Sequence, residues 1–124
     1  MPNAIRSFSV FASLTLAALA GIVPSASAKT RSFQVFAELV GKTKFWVPHT
    51  LVVNEGDTVH IEAINNIPGP VVEHGFMIEA FNVKELVGRE KKVIEFKADR
   101  EGIFEIRCHL HHPVHVGGQL VVLD

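Results

Sequence analysis

The chain has 124 residues, with 12 Lys and Arg against 13 Asp and Glu and a net charge of −1 with neutral histidines. That balance excludes the basic surplus with which a protein tracks nucleic-acid phosphates, and the length suits one hydrophobic core rather than two. The single cysteine excludes an internal disulfide.

The amino-terminal stretch differs in composition from everything after it. Arg6 supplies a short positive region, Phe8 to Val23 is apolar without a charge, and Pro24-Ser25-Ala26-Ser27-Ala28 ends in an Ala-x-Ala signature. This order reads as a secretory signal peptide over residues 1–28, cut after Ala28. The apolar run is shorter than the roughly 20 residues of a spanning helix. The expectation is therefore a periplasmic or otherwise exported protein with no stable membrane insertion after cleavage, its mature domain being residues 29–124. Without Arg6 the mature chain carries 11 basic and 13 acidic side chains, interspersed as on an ordinary solvated surface.

From Ser32 onward the pattern is of short strands. Phe33, Val35, Ala37 and Leu39 alternate with Gln34, Phe36 and Glu38 until Gly41-Lys42 breaks the run. Phe45-Trp46-Val47 is a short apolar piece stopped by Pro48, and Thr50 to Asn54 leads into the turn Asn54-Glu55-Gly56-Asp57. Over Thr58 to Ala63, Val59, Ile61 and Ala63 share one face. That sends His60 to the solvent side, and His49 beside Pro48 reads as a surface residue too. Asn65-Asn66-Ile67-Pro68-Gly69-Pro70 is a loop, from which a strand emerges with His74, Phe76 and Ile78 on its inner face. Lys91 to Phe96, Ile103 to Arg107 and Gln119 to Leu123 are further strands. The mature part shows no heptads, repeats or sustained helical period. Many short strands between Gly, Pro and Asn turns predict an all-β fold, an antiparallel Greek-key β-sandwich or barrel.

One segment carries chemistry. Cys108-His109-Leu110-His111-His112-Pro113-Val114-His115-Val116-Gly117-Gly118 holds the only cysteine and four of the seven histidines. A lone thiol in an exported chain is reactive unless buried, paired with another chain or bound to metal. Thiolate and imidazole are soft or borderline donors, suited to copper and zinc and poor for calcium or magnesium. Gly117-Gly118 lets the backbone turn into the next strand, so loop side chains can converge beside Cys108. His74, at a distant strand edge, completes a Cys-plus-His set. Structural zinc sites usually draw paired short-range ligands from both halves, and here one half offers His74 alone, which favours copper over zinc.

Three stretches resemble the cupredoxin family: Pro48 to Val59, a strand running to a Gly-Asp turn; Glu73-His74-Gly75-Phe76-Met77-Ile78, a first histidine followed by a core Phe; and Gly102 to Cys108-x-x-His111, continuing to Gly118-Gln119-Leu120-Val121-Val122. Within the family the chain is similar to nitrosocyanin-like and plastocyanin-like single-domain copper proteins. The resemblance implies one copper ion held by His74, Cys108, His111 and His115, with His112 as the alternative to His111. Where the blue copper proteins carry an axial Met, this loop has His115 and Val116, and Met77 falls on the opposite face of its strand from His74. The nitrosocyanin-like pattern has a Glu at the place of His74, which leaves Glu73 as a further candidate after a one-residue slip. His109 reads as facing away. The implied function is one-electron transfer to a redox partner protein by a red or green rather than intensely blue protein. The alternatives are copper tolerance or delivery, with a copper donor or acceptor as partner, and a nitrosocyanin-like open-site copper enzyme acting on a small molecule.

Overall fold

A computed structural model of the chain describes residues 27–112 and 114–124. The stretch read as a signal peptide lies outside the described residues, except for Ser27 and Ala28. Among the described residues ten strands follow one another: β1 (Thr30–Val40), β2 (Thr43–Val47), β3 (Thr50–Asn54), β4 (Thr58–Asn65), β5 (His74–Ile78), β6 (Val83–Val87), β7 (Lys92–Lys97), β8 (Gly102–Ile106), β9 (His115–Val116) and β10 (Gly118–Leu123). A 3-10 turn, Glu79–Phe81, joins β5 to β6.

The strands form a five-stranded sheet in the order β7-β4-β1-β2-β9, a three-stranded sheet β3-β10-β8 and the pair β5-β6. This is the all-β sandwich that the alternating pattern predicts, with a refinement in its pairing. β1 runs parallel to β4, β3 parallel to β10 and β2 parallel to β9, while the remaining pairs are antiparallel. Successive strands cross between sheets, as when the chain leaves the large sheet at β2, enters the small one at β3 and returns at β4. A strand therefore often lies beside one reached by a crossover, not by a hairpin.

The core fills the space between the sheets. Trp46, Leu51, Ile61, Phe76, Ile78, Ile106 and Leu120 are all essentially fully buried, and period-two alternation puts them there. In β4, Val59, Ile61 and Ala63 are buried while His60 is half-exposed, with Nδ1 3.2 Å from Glu95 Oε2. His49 is exposed, and its carbonyl accepts the Gln119 N–H at 2.8 Å. β6 is a strand the apolar pattern does not announce. Its inward positions Val83 and Val87 flank Glu85, and the charged middle hides the period. β6 covers β5, which is buried at all five positions.

The loop between β4 and β5 is tied down before it delivers His74. Asn65, itself buried, accepts the Ile67 N–H at 2.9 Å through Oδ1 and donates through Nδ2 to the Val72 carbonyl at 3.0 Å. The Arg89 guanidinium reaches over from the end of β6 to the carbonyls of Ile67 and Gly69.

Candidate metal centre

Two backbone devices bring the loop to His74. An antiparallel bridge joins Met77 to Arg107, with Met77 N–H donating to the Arg107 carbonyl at 2.9 Å and Arg107 N–H returning the bond at 3.0 Å. Running on from that bridge, Cys108 and His109 pass alongside Phe76 and Gly75. The second device is β9, whose short parallel pairing sets His115 opposite Lys44 and Val116 opposite Phe45 of β2. Gly117 and Gly118 make the exit possible: a Cβ on the first would stand 2.3 Å from the Ile106 carbonyl oxygen, and on the second 2.3 Å from that of His49.

His74, Cys108 and His115 are completely buried, and their donor atoms lie within 4.8 Å of one another. His115 Nδ1 is 3.2 Å from His74 Nδ1, and Cys108 Sγ is 4.0 Å from His74 Nδ1. His111, half-buried, places its Nδ1 3.5 Å from Cys108 Sγ, with its ring 4.7 Å from that of His74. Of the residues the sequence singles out, the fold thus gathers His74, Cys108, His111 and His115, while His112 and Glu73 are exposed. Metal–nitrogen and metal–sulfur bonds of about 2.0 to 2.3 Å allow donors around one ion to lie up to roughly 4.5 Å apart. The separations of 3.2, 3.5 and 4.0 Å fit that size, with Nδ1 the converging atom of His74, His111 and His115.

Burial favours the neutral form of His74 and His115, the form in which an imidazole ligates. Burial, reinforced by charge repulsion between His74 and His115, His111, Lys44 and Arg89, pushes His74 down to about 4. Burial lowers His115 as well, partly opposed by the Phe45 backbone carbonyl, with His111 and Lys44 adding to the lowering. His74 Nε2 and His115 Nε2 are buried without hydrogen-bond partners, so neither ring is anchored by its far nitrogen.

Three further groups stand beside the cluster. The Gly75 N–H donates to Cys108 Sγ at 3.1 Å. Trp46 stacks on the His115 ring at 5.2 Å between centroids and 22° between planes, and meets Phe76 edge-on at 5.1 Å. His109 turns its buried, unpartnered Nδ1 towards Gly75, and burial followed by Lys84 and Arg107 lowers its pKa. Only the apolar piece Phe45-Trp46-Val47 hints at the stack, since an indole can meet His115 only once β2 pairs with β9.

No family model and no curated protein sequence matches the chain. Among solved structures it is similar to a copper nitrite reductase from Nitrosomonas europaea, at 20% identity and TM-score 0.60 over 76% of this chain and 41% of that one. A copper-containing nitrite reductase from Thermus scotoductus aligns at 25% identity and TM-score 0.58, over 78% of this chain and 28% of its own length. Auracyanin A, a blue copper protein from Chloroflexus aurantiacus, aligns at 20% identity and TM-score 0.56 over 75% of this chain and 98% of that one. The chain thus spans less than half of either nitrite reductase. The fold is that of the cupredoxins, and at one end of it stands a buried His/Cys/His cluster.

Proposed function

We propose that this cupredoxin-fold chain is an exported mononuclear copper protein that transfers one electron, its metal held by His74, Cys108, His111 and His115. The observation that carries the reading is the convergence of one sulfur and two imidazole nitrogens, all buried and within 4.8 Å of one another, beside the part-buried His111. A thiolate with imidazoles suits copper in both of its common oxidation states. Copper bound there would supply the one-electron couple; the protein's share is to fix the donors on strand ends and to exclude water from all but the His111 side. With three imidazoles and no thioether in the set, the harder donors favour the oxidised state and lower the potential. The set belongs with the nitrosocyanin-like branch more than with the Met-ligated blue proteins. Met77 lines a surface hollow with Glu79, Phe104 and Arg107.

Metal analysis and an electronic spectrum of protein taken from its own periplasm test the reading. One copper per chain and a red or green charge-transfer colour are expected, and Cys108→Ser should abolish the colour. Colour that survives this substitution means that the sulfur is not a ligand, and zinc in the native protein rejects electron transfer outright. A second reading, copper handling, draws on the exposed His112 next to the part-exposed His111, where an ion can be captured or passed on. More than one tightly bound copper per chain would favour it.

A further inference from the structure

Far from the metal cluster, the start of β1 is seated on a buried carboxylate. Asp57, in the turn between β3 and β4, is 2% exposed. Its Oδ1 accepts the Lys29 backbone N–H at 2.9 Å, while Oδ2 accepts the Asn54 N–H at 3.0 Å and faces Arg31 Nε at 3.1 Å. The Lys29 carbonyl in turn accepts the Thr58 N–H at 2.9 Å, so residue 29 is held on both sides. Ser27, Ala28 and Lys29 are exposed.

We propose that Asp57 is the binding site for the amino terminus created by cleavage after Ala28, so that removal of the leader turns a neutral hydrogen bond into an ion pair and locks the domain. The inference rests on the export reading. Water adds across the Ala28–Lys29 amide: its hydroxyl goes to the Ala28 carbonyl carbon, and its proton goes to the Lys29 nitrogen. The freed amine takes up a further proton at neutral pH, because an α-amino group ordinarily titrates near 7.7–8.0. The nitrogen that already lies 2.9 Å from Oδ1 then carries a full positive charge. Charge-assisted hydrogen bonds are about twice as strong as neutral ones, and a buried partner weakens the screening by salt. Before cleavage the carboxylate has one cationic partner, the half-exposed Arg31; afterwards it has two, one at each oxygen. The uncleaved chain is consequently less stable than the processed one, and a leader-bearing chain stays easier to unfold for export.

The test compares three chains in the same metal state: one starting at Lys29, one starting at Ser27, and one starting at Lys29 with its α-amino group acetylated. The free Lys29 chain should melt roughly 4–8 °C above both others, and the gap should close in an Asp57→Asn background. Equal melting of the three overturns the inference, and the acetylated wild-type sequence decides it even if Asp57→Asn does not fold. Amino-terminal sequencing of the exported protein separates the two premises. A start at Lys29 supports the processing step. A different start, or an uncleaved chain, overturns it whatever the melting data say about Asp57, whereas equal melting with a Lys29 start leaves the export reading standing alone.

Discussion

Gly75 answers to two demands at once. Its N–H donates to Cys108 Sγ at 3.1 Å, and a Cβ there would stand 2.4 Å from His109 Nδ1 and 2.8 Å from the His109 backbone nitrogen. A side-chain atom can swing aside, but the backbone nitrogen cannot without moving Cys108 next to it. Gly75→Ala should therefore cost about 1–3 kcal/mol, the usual range for forcing extra volume into a packed site. It should also shift the sulfur-to-copper absorption, as the amide no longer aims at the thiolate. Denaturant unfolding and the visible spectrum of the copper-loaded variant check both, and an unchanged spectrum would separate the amide from the thiolate's electronics. At this scale the donors are legible in the sequence, because a lone cysteine among histidines is chemically conspicuous. The Gly75 amide and the Trp46 stack are not, since a backbone N–H carries no residue signature and stacking depends on which strands meet.

Among the elements, β9 is the shortest strand and the one on which the cluster most depends. Two residues long, it holds His115 against β2, and the chain can leave it only because Gly117 lets the backbone pass the Ile106 carbonyl. In Gly117→Ala the new Cβ would sit 2.3 Å from that oxygen. The oxygen belongs to a buried residue of β8, the strand that ends just before Cys108, so relief has to come from the loop. The substitution should lower stability by about 1–3 kcal/mol and displace His115, weakening copper retention against a chelator. Full retention alongside lost stability would show that β9 tolerates the shift and that His115 is held by Trp46 instead. The strands with clean alternation, β1, β3, β4 and β10, are readable from sequence, and the Gly117-Gly118 pair marks the exit. β6 is hidden by the charge of Glu85 between Val83 and Val87. The parallel pairings are hidden for a different reason: alternation tells which face is buried but not which strand lies alongside.

For the whole molecule, acid resistance depends on the same carboxylate that seats the first strand. Asp57 links β1 to the β3–β4 turn through Lys29, Arg31 and Asn54, and its own backbone carbonyl accepts the Ala98 N–H at 2.9 Å just beyond β7. The Asn54 and Lys29 N–H groups hold its carboxyl below the ordinary value of 3.8, with Arg31 adding to the lowering and burial opposing it. The folded state therefore keeps Asp57 ionised at a pH where the unfolded chain has already taken up a proton. Stability rises with pH wherever the unfolded state binds more protons. The contribution of this group is thus complete above about pH 4 and is lost as the pH falls through 3.8 towards the folded value. In Asp57→Asn, the protein should be less stable at pH 7 and its stability should fall less steeply below pH 4. Denaturant midpoints of both proteins between pH 2.5 and pH 7 decide the matter: parallel curves would mean that some other carboxylate governs the acid limb. The His/Cys/His cluster lies at the other end of the sandwich from this clasp, yet both depend on the strands of the two sheets staying in register. A cluster assembled from β5, the β8–β9 loop and β9 keeps its donor atoms in place only as long as the two sheets do. Loosening the clasp should accordingly speed copper loss in acid before any donor is protonated away from the metal, and following the visible band and the unfolding signal together through the same titration would reveal which goes first.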